Sequence, residues 1–339
     1  MKPFFSYLSF TIALLCFFML NLFVGTVNIP PSEVWSVLLG GETTKISWQY
    51  IILESRLPSA ITAAFCGASL AASGLMLQTT FRNPLAGPSI LGITNGASLG
   101  VGIVMLILGG TLQTTVLGAD IQLGGIVAVI AAAFVGAIII MGILLLLSSI
   151  VRNNLMLLIV GIMVGYLTSS LISLLNIFAT SDNVFSYIVW GMGSFSGVTL
   201  QQLPYFIIPS MFGLILSLMM IKPLNAFLLG DEYAQNLGFN ITRVRTLLLC
   251  STGLLTAIST AFCGPVAFIG LATPHIARLI CGNENHKQLL PMTIIAGACI
   301  ALLCNTLCML PRETILPLNA ITPIIGTPVI LYVILCRRN

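Results

Sequence analysis

The chain has 339 residues, of which 58% are hydrophobic and only 6% are charged, and its formal net charge is +4. In soluble domains about a quarter of all residues are charged. This composition therefore excludes an ordinary soluble globular protein and indicates that most of the surface faces lipid. The small positive charge follows from the membrane topology described below and does not indicate nucleic-acid binding.

Charge-free apolar stretches, each about the 20 residues that a helix needs to cross a bilayer, recur along the chain. The stretch 183–221 opens with a polar, glycine-rich part and holds one span only. The stretch 246–277 breaks at Cys263-Gly264-Pro265, which predicts a turn between two short helices. The chain is therefore predicted to be an all-α polytopic membrane protein of about ten transmembrane helices. The predicted spans are 5–27, 57–80, 90–110, 122–149, 155–178, 203–221, 246–262, 265–281, 289–310 and 316–335.

The apolar stretch Pro3–Gly25 is too long for a signal peptide and lacks a small-residue cleavage pattern, so it is predicted to be the first span. An even number of spans puts both termini on one side. By the positive-inside rule, basic residues predict cytoplasmic termini in the inner (plasma) membrane. Of the 13 Lys and Arg residues, only Lys45, Arg56 and Arg312 fall on the predicted outer side.

The longest predicted inner connection runs from Lys222 to Arg245. Its centre, Leu229–Gly238, has acidic residues near its start and a glycine at its end, as a short capped helix would. Such a solvated helix is available to a partner, although a plain connector is the alternative. No segment is long and polar enough for a soluble domain, so residues 1–339 are predicted to form a single transmembrane domain.

Chemical groups that gradient-driven carriers and enzymes need are missing from the predicted spans. Their centres carry no ionisable residue, whereas carriers and pumps normally keep one there. His275 is interpreted as a hydrogen-bonding group, with a proton relay as the alternative. H-E-x-x-H does not occur, and G-x-S-x-G occurs only as Gly96–Gly100 inside the third predicted span. Without a Gly-Lys dipeptide there is no P-loop, so an ATP site must lie on another polypeptide.

The nine cysteines contain no C-x-x-C pair and lie almost wholly within predicted spans. They are interpreted as small apolar packing residues. Cys304 and Cys308 share a helix face, but two thiols without a nearby histidine or carboxylate make a poor metal site. No metal site and no cofactor are predicted.

Long ordered motifs run from about Leu53 to the end of the chain. They are Glu54–Pro58, Gly67–Gly74 with Gln78, Arg82–Ala97, Gly264–Arg278, and Leu316–Pro317 with Thr322–Pro328. Together they resemble the iron-siderophore and cobalamin permeases of binding-protein-dependent ABC importers, the FecCD/BtuC-type permease family.

The resemblance implies a BtuC-like type II importer fold and a homodimer with ten helices per subunit around a central pathway. It also implies two cytoplasmic ABC ATPase subunits and a periplasmic or lipid-anchored substrate-binding protein. The predicted cargo is an iron(III)-siderophore or related metal chelate, with cobalamin or haem as alternatives. A stand-alone gradient-driven carrier and a non-transporting scaffold are the alternatives from other classes.

The resemblance further assigns roles to residues. Asp231 to Gly238 matches a cytoplasmic helix that docks into the ATPase, and the residues before the fifth span match a cytoplasmic gate. Arg56 matches an outer arginine that pairs with carboxylates of the binding protein, with anchoring at lipid headgroups as the alternative. The predicted sites are the coupling residues Asp231, Glu232, Ala234, Leu237 and Gly238, the gate residues Asn153 and Asn154, and the docking residues Arg56 and Arg312.

The chain also departs from the family pattern on the predicted outer side. A second docking arginine is replaced by Ser59, and the common Asp and Arg of the ninth span are replaced by Asn305 and Met309. Arg312 is the candidate to substitute for the lost docking charge. After the last Leu-Pro, Asn319 stands where the family pattern has a glycine.

Overall fold

The computed structural model describes residues 3–41, 43–109, 114–116, 119–121, 125–151, 154–311 and 314–336. Within these ranges the chain forms fifteen α-helices, two π-helical turns (Ile51–Arg56 and Ile103–Ile107) and one antiparallel hairpin, Thr114–Val116 with Ala119–Ile121. The helices are α1 Pro3–Phe23, α2 Pro31–Leu38, α3 Ile46–Tyr50, α4 Leu57–Phe81, α5 Ile93–Gly102, α6 Gly125–Ile150, α7 Asn154–Phe178, α8 Ser181–Gly191, α9 Leu203–Met219, α10 Ile221–Leu229, α11 Asp231–Asn236, α12 Ile241–Cys263, α13 Ile269–Cys281, α14 His286–Met309 and α15 Leu318–Cys336.

The described helices account for all ten predicted spans. Six helical segments are long and apolar enough to cross a membrane, and α9 with α10, which meet at a bend of 49°, make a seventh candidate. Three shorter apolar segments are Ile93–Ile107, Ile269–Cys281 and Leu318–Tyr332. The prediction of an all-helical membrane protein with about ten transmembrane helices is confirmed. Below, inner and outer denote the two ends of the bundle as predicted from the basic residues.

Two helical segments extend beyond the predicted starts of their spans, and both extensions contain an arginine. The helical segment of the second span is continuous from Ile46 through the π-helical turn into α4, and that of the seventh begins at Ile241. Hydropathy ends an apolar stretch at a charge because an unpaired charge is costly in lipid. Here Arg56 and Arg245 are only 4% and 7% exposed, and the fold supplies partners for both.

Helix α8 lies between the fifth span and the polar, glycine-rich segment that follows it. Thr180 caps it by accepting a hydrogen bond from the backbone N–H of Asn183 at 3.4 Å. The Tyr187 hydroxyl donates to the Ser98 carbonyl at 3.3 Å. Burial raises the pKa of Tyr187 to about 12, so the phenol stays protonated and able to donate. This bond ties α8 to α5.

The packing of α4–α7 is repeated by α12–α15. In each half, the first helix packs against the second and third helices of the other half. In each half, the second helix packs against the third and fourth of its own half. The two second helices, α5 and α13, both follow a residue with positive φ: Gly92 at 78° and Phe268 at 66°. This pattern is typical of an inverted repeat with matching broken elements.

Glycines set the closest helix contacts at the centre of the bundle. A Cβ atom on Gly74 of α4 would overlap the carbonyl oxygen of Gly270 in α13, and one on Gly67 would overlap that of Gly297 in α14. Small residues at such crossings let backbones approach, which is how membrane helices gain packing energy in the absence of a water-driven effect. The backbones of α4, α13 and α14 are therefore in direct contact.

We expect Gly74→Ala to destabilise the bundle, because α4 and α13 would have to separate, at a cost of about 1–3 kcal/mol. The readout is the melting temperature of the detergent-solubilised protein. Gly142→Ala is the matched control, since a Cβ there meets no atom within 4 Å. It should be neutral or stabilising, because alanine is favoured over glycine in a helix by about 1 kcal/mol. Equal melting temperatures for the two variants would contradict the packing.

Candidate coupling and docking sites

The predicted short helix in the long inner connection is present as α11, and a glycine forms a corner at each end of it. Gly230 precedes it with φ +121°, and Gly238 follows it with φ +86°, backbone conformations that other residues rarely adopt. At the second corner the N–H of Gly238 donates to the Gln235 carbonyl at 2.9 Å, and that of Phe239 donates to the Ala234 carbonyl at 3.1 Å. This is the Schellman arrangement, which ends a helix sharply.

The two faces of α11 have different surroundings. Ala234 is fully buried, in one apolar cluster with residues of α4, α10, α12, α13 and α14, and it offers no surface to a partner. Glu232, Leu237 and Gly238 are exposed, as is Tyr233, which the sequence reasoning did not select. Tyr233 and Leu237 are four residues apart, the spacing that places two side chains together on a helix.

Asp231, the first residue of α11, points toward the bundle. Its Oδ1 lies 2.5 Å from the Nη2 of Arg82, the residue that ends α4. Its Oδ2 lies 3.6 Å from the Nη2 of Arg245 in α12. Both oxygens of the carboxylate are thus engaged within the chain. The sequence reasoning placed Arg82 in a family motif and Asp231 in the coupling segment, but it did not connect them, and it missed Arg245.

A polar cavity of about 220 Å³ opens at the inner end of the bundle. His286 closes one side: its Nε2 lies 2.8 Å from the Thr79 hydroxyl, and its backbone N–H donates to Asn225 Oδ1 at 2.9 Å. Arg278 donates to the Gln78 side-chain oxygen at 2.6 Å. The cavity is lined by Gln78, Thr79, Arg82, Pro84, Leu228, Arg278, Glu284, His286 and Leu289.

His275 has the hydrogen-bonding role favoured by the sequence. Its Nε2 lies 2.9 Å from the carbonyl oxygen of Pro84. Because a carbonyl only accepts, this nitrogen carries the proton and donates. His275 therefore fixes the Arg82–Pro88 connection to α13.

The predicted gate stays a prediction. Asn153 lies outside the described residues. Asn154 begins α7, but the structure describes only its backbone.

Arg56, predicted as an outer docking residue, is buried and bound to the end of α1. Its Nη1 donates to the carbonyl oxygens of Leu22 at 2.7 Å and Phe23 at 3.0 Å, and its Nη2 donates to the Val27 carbonyl. The last carbonyls of a helix have no partner within the helix, so the guanidinium caps them. A Cβ on Gly25 would come within 2.7 Å of this guanidinium, which explains the glycine.

Arg56 therefore has a structural role in the described geometry, and contact with a binding protein through this side chain stays a prediction. Arg312 lies outside the described residues, so its docking role also stays a prediction.

Comparison with protein families decides the class of the chain, because the model of the FecCD transport family matches residues 13–336. The chain belongs to the FecCD transport family. Over 330 residues it is 34% identical to the vitamin B12 import system permease protein BtuC of Klebsiella pneumoniae subsp. pneumoniae, covering 97% of this chain and 93% of that protein. The BtuC protein of Escherichia coli O127:H6 is 32% identical over 325 residues, covering 95% and 94%.

Among solved structures, an inward-facing metal-chelate type ABC transporter is 27% identical to this FecCD-family chain, with a TM-score of 0.84 over the full length of both. PsaBC from Streptococcus pneumoniae, solved with a Fab, has a TM-score of 0.52 at 14% identity, over 82% of this chain and 90% of that one. That second likeness concerns the fold alone.

Two positions at which this FecCD-family chain departs from the expected pattern are in contact. The buried Asn305 side chain donates to the Ser59 hydroxyl at 3.1 Å and to Asn21 Oδ1 at 2.7 Å. Asn21 in turn donates to the Thr306 hydroxyl at 3.0 Å. Neutral side chains therefore satisfy one another where the family pattern places an arginine and an aspartate.

A third departure, Asn319, joins three segments on the outer side. Its Nδ2 donates to the carbonyl oxygens of Gly191 at 3.0 Å and Pro265 at 2.5 Å. Its Oδ1 accepts the N–H of Ala267 at 3.1 Å. The start of α15 is thus bound to the end of α8 and to the irregular segment before α13.

We expect Arg56→Leu to lower the melting temperature, because it leaves the carbonyl oxygens at the end of α1 buried without a donor, at about 1–3 kcal/mol. Lys45→Gln is the control, since it removes an exposed basic residue from the same side. If Arg56 acted instead as a docking charge, Arg56→Leu would weaken binding-protein affinity and leave the melting temperature unchanged.

Proposed function

We propose that this chain is the transmembrane permease subunit of a binding-protein-dependent ABC importer, which carries a metal chelate across the inner membrane. The observation that carries the proposal is the chemistry of the buried interior. Among the described residues, the buried side chains include no Asp, Glu or Lys; the buried Arg and His residues are Arg56, Arg245, His275 and His286, and each is bound to other parts of the chain. Carriers driven by ion gradients keep a titratable or ion-binding group at this depth.

The energy therefore has to come from a partner. The chain contains no P-loop, and the proposal therefore places ATP hydrolysis on separate cytoplasmic subunits. The coupling loop 222–245 supports contact with such a subunit, because α11 and the turn that ends it present the exposed side chains of Glu232, Tyr233 and Leu237. Both termini would be cytoplasmic, and two copies would enclose the pathway.

The cargo is proposed to be a corrinoid, with a ferric siderophore or haem as the second candidates. The relatives described above are named as vitamin B12 permeases, which favours the corrinoid. The structure of a metal-chelate type transporter favours the wider class of metal chelates. Such cargo brings its own ligand shell, so a pathway without strong binding groups passes it without trapping it.

The test of transport uses proteoliposomes that contain this chain with its ABC ATPase and binding protein. We expect ATP-dependent uptake of radiolabelled cyanocobalamin, and loss of uptake when the P-loop lysine of the ATPase is replaced. Liposomes with this chain alone should transport nothing. Uptake that persists with the inactive ATPase would reject the ATP-driven mechanism, and uptake of a ferric siderophore but not of cyanocobalamin would reassign the cargo.

We expect Leu237→Asp to reduce ATPase co-purification at least about tenfold, which corresponds to 1.4 kcal/mol. Leu237 is 55% exposed, so a new charge there disturbs a partner contact without entering the core. Leu39→Asp is the matched control: Leu39 is also an exposed apolar residue, directly after α2 on the opposite side of the bundle and outside the candidate spans. Gly238→Pro should have the same effect as Leu237→Asp, because proline cannot adopt the φ of +86° at that corner. Full co-purification of both coupling-loop variants would remove α11 from the interface.

A further inference from the structure

The Asp231 side chain is 35% exposed, and both of its carboxylate oxygens contact arginines of the bundle. We infer that it is a positioning residue: its carboxylate links the coupling helix to Arg82 of α4 and Arg245 of α12, and movement of α11 reaches the bundle through this triad. The inference rests on the proposed function, because it needs an ATPase that moves α11.

The corner at Gly230 aims the carboxylate inward. Its φ of +121° and ψ of 154° turn the chain sharply between α10 and α11, so that Asp231 starts the new helix beside the end of α4. The Oδ1–Nη2 distance to Arg82 is 2.5 Å. The Arg82 and Asp231 side chains are 46% and 35% exposed, so this charge-assisted contact orients the carboxylate and adds little to stability by itself.

Arg82 joins three helices. It ends α4 with φ 46°, a left-handed conformation that is uncommon for a residue other than glycine. Its Nε donates to the Phe227 carbonyl in the last turn of α10 at 3.3 Å, and its Nη2 binds Asp231 of α11. A displacement of α10 or α11 thus acts directly on the end of α4.

Arg245 depends on Asp231. Its side chain is 8% exposed, its Nε has no hydrogen-bond partner among the described residues, and Asp231 is its ion-pair partner at 3.6 Å. A buried charge that loses its partner is strongly destabilising. Without the carboxylate, Arg245 would also face Arg82 with no negative charge between the two.

The triad reaches the helices that form the centre of the bundle. Helix α4 packs against α9, α12, α13 and α14, and α12 packs against α6 as well. Most of α4 is buried within the protein. The exposed face of α11 is therefore free to contact the ATPase, and Asp231 is placed to pass a movement of α11 on to α4 and α12.

The test is made on the whole importer in liposomes, with three measurements: ATPase co-purification, stimulation of ATP hydrolysis by loaded binding protein, and cyanocobalamin uptake per ATP. We expect Asp231→Asn to keep co-purification near the wild-type level and to reduce stimulation and uptake about tenfold, within the usual range of coupling between sites. Asp231→Glu, which keeps the charge, should restore most of both. Lys287→Met is the control, because Lys287 is an exposed basic residue of the inner side outside the loop 222–245; it should leave all three measurements unchanged.

A double variant separates transmission from stability. Asp231→Asn with Arg245→Met removes the unpaired buried charge, so the melting temperature should recover relative to Asp231→Asn alone while coupling stays lost. Recovery of coupling together with stability would overturn the inference in favour of a purely structural role. Weak co-purification of Asp231→Asn, like that expected for Leu237→Asp, would make Asp231 an ATPase contact and also overturn it.

Failure of the proposed function has a different outcome. A wild-type chain that neither binds the ATPase nor supports uptake would reject the permease assignment, and the inference with it. A wild-type chain that couples, together with an Asp231→Asn variant that couples equally well, would reject the inference alone.

Discussion

A membrane protein keeps a buried charge only where another part of the chain supplies a partner, and two such partnerships organise this bundle. On the outer side, Arg56 binds the last carbonyls of α1 and so fixes the first helix against the start of α4. On the inner side, Asp231 binds Arg82 and Arg245. Each partnership lets a helix extend past a charge, and each ties a segment outside the central bundle to its core.

The sequence is sufficient to predict the helices but not all of their ends. Ten spans follow from hydropathy and length, because the bilayer imposes both. The helical extensions past Arg56 and Arg245 were not predicted, because hydropathy treats each residue alone, whereas the Arg56 partners lie about 30 residues earlier in the chain. The short helix α11 was predictable, because its acidic start and its terminal glycine are local signals.

The candidate sites show the same division. Exposure of Leu237 follows from a loop at the membrane surface, but burial of Ala234 depends on packing that no local pattern records. In the sequence, Ser59 and Asn305 each replace a charged residue of the family pattern. Only the fold shows that their side chains lie 3.1 Å apart. Their contact indicates that this region of the FecCD-family chain is organised by a neutral hydrogen-bond network, which extends to Asn21 and Thr306.

The glycine contacts at the centre of the bundle limit how the protein can change shape. Where Gly67 meets Gly297 and Gly74 meets Gly270, backbone lies on backbone without an intervening side chain. Sliding α4 along α14 by one residue, a rise of about 1.5 Å, would drive a methyl or larger group into a carbonyl oxygen. The backbone contacts therefore oppose sliding of α4, α13 and α14 past one another, whereas a tilt about the glycine crossings keeps these contacts.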